Sequence, residues 1–413
     1  MEIKLKNTPE QVELIKAMGS KNSTVAREAT EAIAAFLAPV IKKVLLTAGT
    51  ASTVYRDVEF DEDSDPSIPL DLFYNEGAGY VTVWSQSQAG GMPTSQVEGM
   101  KEVKFGTYRL DSAVSFNKKY ARKSRLDVVS KAIERMVNEV LTKQERNAWA
   151  VVLKALAEAY TPVYAGGQSV QAQYGHTIAS TDTVGASSKF LLNDLNNLMV
   201  RIKRINESYA GNTPIQPYSN GITDLYVSPE VKANIRAFAY NPIATNQSVA
   251  AVTQAAVDTN WSATQYISDN LRDEIFKNAG LQSIYGVNVV ELIELGIGQK
   301  YNNLFGTFAY SGNSASKVDG SAGGAAYSAG KWSSGASATD RQICVGIDNT
   351  RGAYVRPVAV QAESGGTFSV LPDGQFDMYG SRIQKVGFYG FLEEGRVCLD
   401  ARSTVGIVLG AQS

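Results

Sequence analysis

Cysteine is nearly absent from this chain of 413 residues: Cys344 and Cys398 are the only two, with no CxxC and no close pair. A disulfide is possible but not indicated, and two isolated thiols in a reducing cytoplasm are expected. Histidine is scarcer still. His176, in QAQYGHTIAS, is the only one, and any Ser–His pair would have to use it. Nothing near it in sequence orients an imidazole, so a solvated loop histidine is expected. One His and two distant Cys also fall short of a zinc ligand set. Charge is thin, 19% Asp, Glu, Lys and Arg against a typical ~25%. Much of the surface is expected to be covered by neighbours rather than by water. The net charge of −2 is not that of a dedicated nucleic-acid binder. Long apolar runs are missing too. The longest, 32–41, is broken by Pro39 and followed by Lys42 and Lys43, too short for a membrane span. The opening MEIKLKNTPEQ lacks the apolar centre of a signal peptide. The expectation is a chain made in a cytoplasm, with no membrane partner and no N-terminal segment removed before Met1.

The motifs of cofactor chemistry fail one by one. Gly330-Lys331 resembles the end of a phosphate loop, but Ala325 stands at its first glycine and Trp332 at its hydroxyl position. Gly296-Ile297-Gly298 lacks the third glycine of a dinucleotide fingerprint. Asp61, Asp63 and Asp65 alternate like the start of a calcium loop, yet Pro66 replaces its glycine and Leu72 its bidentate glutamate. No cofactor, no metal site and no catalytic set is expected.

What the chain does have is a long helical stretch at 124–160. Leu126, Val129, Ile133, Met136, Val140, Trp149, Leu153 and Leu156 form one apolar stripe, with no Pro or Gly among them. Ser124 can cap the first turn, with Asp127 near its positive end. Asp127–Lys131 and Glu139–Lys143 are spaced as i,i+4 ion pairs. Roughly 35 helical residues span about 50 Å, longer than an ordinary core needs. The stripe reads either as a long core helix of an α+β enzyme or as a beam carrying an extended molecule.

The flanking segments favour the beam. Pro9 opens a short helix ending near Gly19, and a second runs from about Thr24 with a kink expected at Pro39. Val54, Val58 and Phe60 alternate as a strand before an acidic turn. Strand-like runs at 79–86 and 102–116 enclose a tip containing Gly90, Gly91, Met92 and Pro93. Such a protruding hairpin is marginal by itself and needs another surface to lie on. After the long helix the sequence predicts a Gly-, Gln- and Ser-rich loop over 161–188 and an amphipathic helix over 189–208. A strand at 224–227 then runs into a helix capped by Ser228 with Pro229 at its first position. Further on, strands are predicted around 283–291 and 304–310, a low-complexity surface loop over 311–339, and a mainly strand tail from 341 to 408.

Two charge runs stand out. Asp57, Glu59, Asp61, Glu62, Asp63 and Asp65 are acidic; Lys118, Lys119, Arg122, Lys123 and Arg125 are basic. Each can be a separate solvated face, the two can pair within or between subunits, or the basic run can meet a DNA phosphate backbone without reading bases.

This order of parts resembles the major capsid proteins of tailed bacteriophages, which share the Hong Kong 97 fold. The resemblance is carried by GGMPTSQVEGM (90–100), TYRLDSAVSFNKKYARKSRLDVVSKAIERMVNEV (107–140), LYVSPEVKANIR (225–236) and SIYGVNVVE (283–291). It implies an α+β chain with an N-terminal arm at 1–50, a peripheral-domain strand region at 51–74 and an extended loop at 75–110. The spine helix and peripheral domain would then occupy 111–184, an axial domain 185–352, and terminal strands shared between both domains 353–413. It further implies hexamers and pentamers closing into an icosahedral shell around double-stranded DNA, in a virion assembled in the host cytoplasm. A portal protein and a scaffold or cement protein are the implied partners. The implied inter-subunit contacts are Gly90, Gly91, Met92 and Pro93, with Asp61, Asp63, Asp65, Lys118, Lys119, Arg122, Lys123 and Arg125. Some members of the family cross-link covalently; Lys101 and Lys104 lie away from the tip and no acceptor aligns, so no cross-link is expected. The alternatives are an encapsulin-type nanocompartment on the same fold and a cytosolic enzyme.

Overall fold

The computed structural model describes residues 8–47, 49–61, 65–69, 102–123, 126–164, 171–180, 190–205, 221–237, 283–310, 318–319, 342–360, 369–373 and 384–409. In chain order it opens with helices α1 (Pro9–Met18) and α2 (Ser23–Thr47), then strands β1 (Arg56–Asp61), β2 (Ser67–Pro69), β3 (Glu102–Lys104) and β4 (Tyr108–Asn117). The short α3 (Lys118–Arg122) and the long α4 (Leu126–Glu158) follow, then β5 (Tyr160–Tyr164), β6 (Gln171–Gly175), β7 (Thr177–Ala179) and α5 (Leu192–Ile205). Next come β8 (Asp224–Val227), α6 (Pro229–Ala237), β9 (Ser283–Ile284), β10 (Val287–Glu291), α7 (Lys300–Tyr310) and β11 (Val318–Asp319). The tail carries β12 (Gln342–Ile347), β13 (Tyr354–Val360), β14 (Ser369–Asp373), β15 (Lys385–Glu394), β16 (Val397–Cys398) and β17 (Thr404–Leu409). The chain divides into two compact units. The first gathers the described residues within 8–69, 102–149 and 354–397; the second gathers those within 150–353 and 398–409.

In the first unit β15 organises the sheet. One edge pairs antiparallel with the whole of β4, from Lys385 opposite Asn117 to Glu394 opposite Tyr108. The other edge takes β14 and, at Glu394, β13; β13 carries β1 in parallel. Along β4 exposed residues alternate with more buried ones, the period-2 pattern of a strand with one wet face. The covered face meets three helices. Ile15 and Met18 of α1, Ile33, Leu37 and Ile41 of α2, and Val129, Ile133, Met136 and Val140 of α4 pack with Phe116, Val386, Phe388 and Leu392 of the sheet. Each such side chain contributes about 1.5–3 kcal/mol. The described helices of 1–50 thus find their partners on this unit's own core, and α2 continues through Pro39. The run read as one strand over 102–116 breaks at Phe105–Thr107. Phe105 is buried and its amide bonds the Pro66 carbonyl, so β3 joins β2 while β4 joins β15. The stripe of α4 is buried as predicted from Val129 to Leu156, but exposed Glu139 and Lys143 form no ion pair. Among the described residues an i,i+4 pair forms instead between Arg27 and Glu31 on α2.

The second unit holds a sheet in the order β11-β7-β17-β12-β8-β10-β9. Its central β12 and β17 are buried almost throughout, which is why ICVGI and TVGIVL read as continuous apolar runs rather than alternating ones. Gly406 of β17 has a close neighbour in Leu156 of α4: a Cβ there would stand 2.7 Å from Leu156 Cδ2. α5 contributes Leu195, Leu198, Ile202 and Ile205 to the core, and α6 Val231 and Ile235. Ser228 caps α6 as expected, its hydroxyl accepting from the Val231 amide at 3.2 Å.

Two local expectations fail here. The segment predicted as loop over 161–188 contains the β5–β6 hairpin, Tyr160 opposite Gly175, and β7; backbone pairing makes strands there despite the polar composition. The strand predicted at 304–310 is the helix α7. Tyr301 and Phe305 are buried four residues apart while Asn303 and Thr307 are exposed, a helical rather than an alternating pattern. Among the described residues no helix is long and apolar enough to cross a membrane.

Candidate assembly surfaces

The acidic run begins on β1. Asp57 accepts two bonds from Arg356 of β13, from Nε at 2.6 Å and Nη2 at 2.5 Å, the bidentate geometry of a guanidinium–carboxylate pair. The Arg356 side chain is only 4% exposed, so Asp57 neutralises a charge that has no access to water. Asp61 is exposed at the end of β1. Asp65 meets Lys104 at 3.0 Å with both side chains more than two-thirds exposed; such a pair is worth about 0–1 kcal/mol. Asp63 lies outside the described residues.

The basic run does not lead directly into the long helix. Lys118, Lys119 and Arg122 form a helix of their own, α3, whose first turn is capped by Asn117 Oδ1 accepting from the Lys119 amide at 2.9 Å. Arg122 Nε donates to the Gly19 carbonyl at 2.7 Å. Lys123 is exposed after α3. Arg125 and the tip residues Gly90, Gly91, Met92 and Pro93 lie outside the described residues, as do Ser124 and the side chain of Asp127. The partners seen for Asp57 and Asp65 are thus Arg356 and Lys104, neither of them in the basic run.

His176 is not a solvated loop residue. It is 1% exposed in the second unit, between β6 and β7. Its Nδ1 lies 2.9 Å from the Ala401 carbonyl and 3.1 Å from that of Thr404. Two carbonyls can only accept, so Nδ1 carries the proton. Burial is the main force lowering its pKa to about 4; the two carbonyls and Asp400 act against this, and Arg201 adds to the lowering. The unfolded chain, with an ordinary imidazole near 6.5, takes up a proton first as pH falls. Stability should therefore be constant above about pH 7 and drop by up to about 3 kcal/mol between pH 6.5 and pH 4. Chemical denaturation across that range checks this. His176→Gln should flatten the slope; an unchanged slope would assign the acid sensitivity to other groups.

Cys344 is fully buried and its thiol is raised far above the ordinary value, by burial first and then by Asp194; it is no nucleophile. Cys398 is half-buried and not in a disulfide. No group of three or more His, Cys, Asp or Glu able to hold a metal occurs among the described residues.

One buried polar cluster went unread in the sequence. Glu394, fully buried at the end of β15, accepts from Tyr108 Oη at 3.0 Å, Gln144 Nε2 at 3.0 Å and Arg396 Nη2 at 3.1 Å. Arg396 lies over the Tyr55 ring, 4.8 Å from its centre. The Tyr108 hydroxyl is pushed up to about 12, by burial first and then by the charge of Glu394; it stays a neutral donor. EEGR at 393–396 carries no periodicity that would have marked it, because its partners lie up to 286 residues away.

No family model matches the chain, and no curated relative matches it either. Solved structures do, among them capsids and a virus-like particle. The capsid of the cyanophage P-SCSP1u matches at 11% identity over 87% of each chain, with a TM-score of 0.44. The mature capsid of bacteriophage PhiM1 matches at 9% identity over 87% of this chain and 86% of that one, TM-score 0.41. A virus-like particle from Pyrococcus furiosus matches at 11% identity over 89% and 98%, TM-score 0.36.

Proposed function

We propose that this chain is the major capsid protein of a tailed bacteriophage, a non-enzymatic brick whose copies form hexamers and pentamers and close around double-stranded DNA. The observation that carries the reading is the build of the chain. A single 33-residue helix, α4, begins in the first unit and ends in the second, and the tail returns to complete the first unit's sheet before finishing in the second. The sequence resemblance implies a long spine helix and terminal strands shared between two domains, and this build supports it. Each unit has its own core, which leaves outer surfaces free to meet other copies. Closure multiplies many modest contacts into a stable container. The low charged fraction and exposed apolar side chains such as Phe36 and Ile293, 56% and 77% accessible, suit surfaces that neighbours cover.

In this reading the tip at Gly90, Gly91, Met92 and Pro93 rests on a neighbouring copy, and portal, scaffold or cement proteins are further partners in a host cytoplasm. Negative-stain microscopy and sedimentation of the purified full chain test it. Closed particles of tens of nanometres are expected. A 44.4 kDa monomer that never assembles, with or without a co-expressed scaffold, rejects the reading. Deleting 88–97 should leave folded subunits and abolish closed particles; normal particles from that deletion would reject the role of the tip.

A further inference from the structure

The basic run is larger in space than in sequence. Arg122 Nε donates to the Gly19 carbonyl, and a Cβ on Gly19 would stand 2.6 Å from Arg122 Cγ and 2.8 Å from its backbone nitrogen. α1 and α3 therefore meet at backbone distance, which brings in Lys16 and Lys21 on either side of Gly19. From the other direction, Lys385 of β15 lies opposite Asn117, and the Lys118 amide donates to the Gln384 carbonyl at 2.8 Å. Lys16, Lys21, Lys118, Lys119, Arg122, Lys123 and Lys385 thus share one corner of the first unit. The segments 16–22, 117–123 and 384–387 contain no Asp or Glu; the carboxylates bordering them are Glu13, one turn back on α1, and Asp373 of β14, opposite Gly387. All but half-buried Lys118 are exposed. No ion pair between described residues engages any of the seven.

Seven cations drawn from three segments, on a chain of net charge −2, raise the local concentration of a polyanion. The acidic run of a neighbouring copy is one such partner, but Asp57 is already committed to buried Arg356 and Asp65 to Lys104. We propose that this corner binds the phosphate backbone of double-stranded DNA, through charge and without reading bases. The proposal deepens the capsid reading and rests on it for the identity of the polyanion.

The test uses the unassembled full chain and a mixed-sequence duplex of about 30 base pairs, with fluorescence anisotropy between 50 and 200 mM salt. The corner variant is Lys119→Glu, Lys123→Glu and Lys385→Glu. A control of equal charge change reverses Lys143, Lys154 and Lys203, all exposed and outside the corner. The corner variant should bind at least about tenfold more weakly than wild type. Its plot of log K against log salt should be shallower by about 2–3, since each phosphate contact contributes roughly 0.9. The control should stay near wild type. Equal loss in both variants, unchanged binding in the corner variant, or no wild-type binding at 50 mM salt would each overturn the proposal. So would a corner variant that keeps its DNA affinity but forms no particles, because the corner would then face a neighbouring copy's acidic run. Particle formation is read separately: wild-type particles without DNA affinity overturn only this inference, and wild type without particles rejects the capsid reading whatever the anisotropy.

Discussion

Truncating Glu394 to alanine should lower the stability of the first unit by about 3–5 kcal/mol, the usual cost of leaving a buried charge without its partner. The side chains of Glu394 and Arg396 are 0% and 2% exposed. Arg396 Nε and Nη1 have no hydrogen-bond partner among the described residues even with the carboxylate in place. Without Glu394 the guanidinium would keep only the Tyr55 ring, and Tyr55 is itself fixed by its hydroxyl donating to the Ala148 carbonyl at 2.9 Å. Tyr108 and Gln144 would lose their acceptor together. Urea denaturation of the unassembled chain measures the loss. The double change Glu394→Leu with Arg396→Met should recover most of it, since an apolar pair of similar volume removes both desolvation penalties. A loss below about 1 kcal/mol for Glu394→Ala would mean that water reaches the pair.

The second large effect is expected at Glu145 on α4. Its carboxylate accepts from the Ala51 amide at 3.1 Å, from Thr50 Oγ1 at 3.1 Å and from Trp149 Nε1 at 3.1 Å. These bonds tie the turn at 49–53 to α4. Trp149 is 1% exposed, so its indole N–H loses the stronger, charged one of its two acceptors and is left to Thr50 Oγ1 once the carboxylate is gone. Glu145→Ala should cost about 2–4 kcal/mol, because bonds to a charged acceptor are worth about 1.5–3 kcal/mol and orphaned donors add their desolvation. Glu145→Gln keeps one acceptor oxygen and should lose roughly half as much. Hydrogen exchange at the Ala51 amide reports the same knot locally and should accelerate in the alanine variant; an unaltered rate would mean another group holds the turn. The backbone agrees with this arrangement. Gly49 has φ of +103°, and a Cβ there would stand 1.9 Å from Glu145 Oε1, so only glycine fits.

The amino-acid order carried most of the architecture, and for a physical reason. The stripe from Val129 to Leu156 repeats at helical spacing, and every core position predicted along it from Val129 onward is buried. Ser228 followed by Pro229 marks a helix start by local chemistry alone, and the hydroxyl makes the bond that chemistry requires. The tail from 341 to 408 reads as mainly strand, and β12 and β17 are strands there, buried almost throughout. Such signals are local: a few neighbouring residues contain the whole cause.

Where the reading failed, the cause lay elsewhere in the chain. QAQYGHTIAS is polar enough to suggest a loop, yet the carbonyls of Ala401 and Thr404, more than two hundred residues on, turn its histidine into a buried neutral donor. LFGTFAY reads as alternating until Tyr301 is counted with Phe305, which places both on the buried side of a helix. The composition and periodicity of this sequence determined by themselves that it builds helices and sheets around apolar cores. Tertiary structure alone decided that Glu394 meets Arg396, Tyr108 and Gln144, that Asp57 is taken by Arg356, and that lysines from three distant segments share one corner. Charge and hydrogen bonding act through space, and only the folded chain brings those groups within reach of one another.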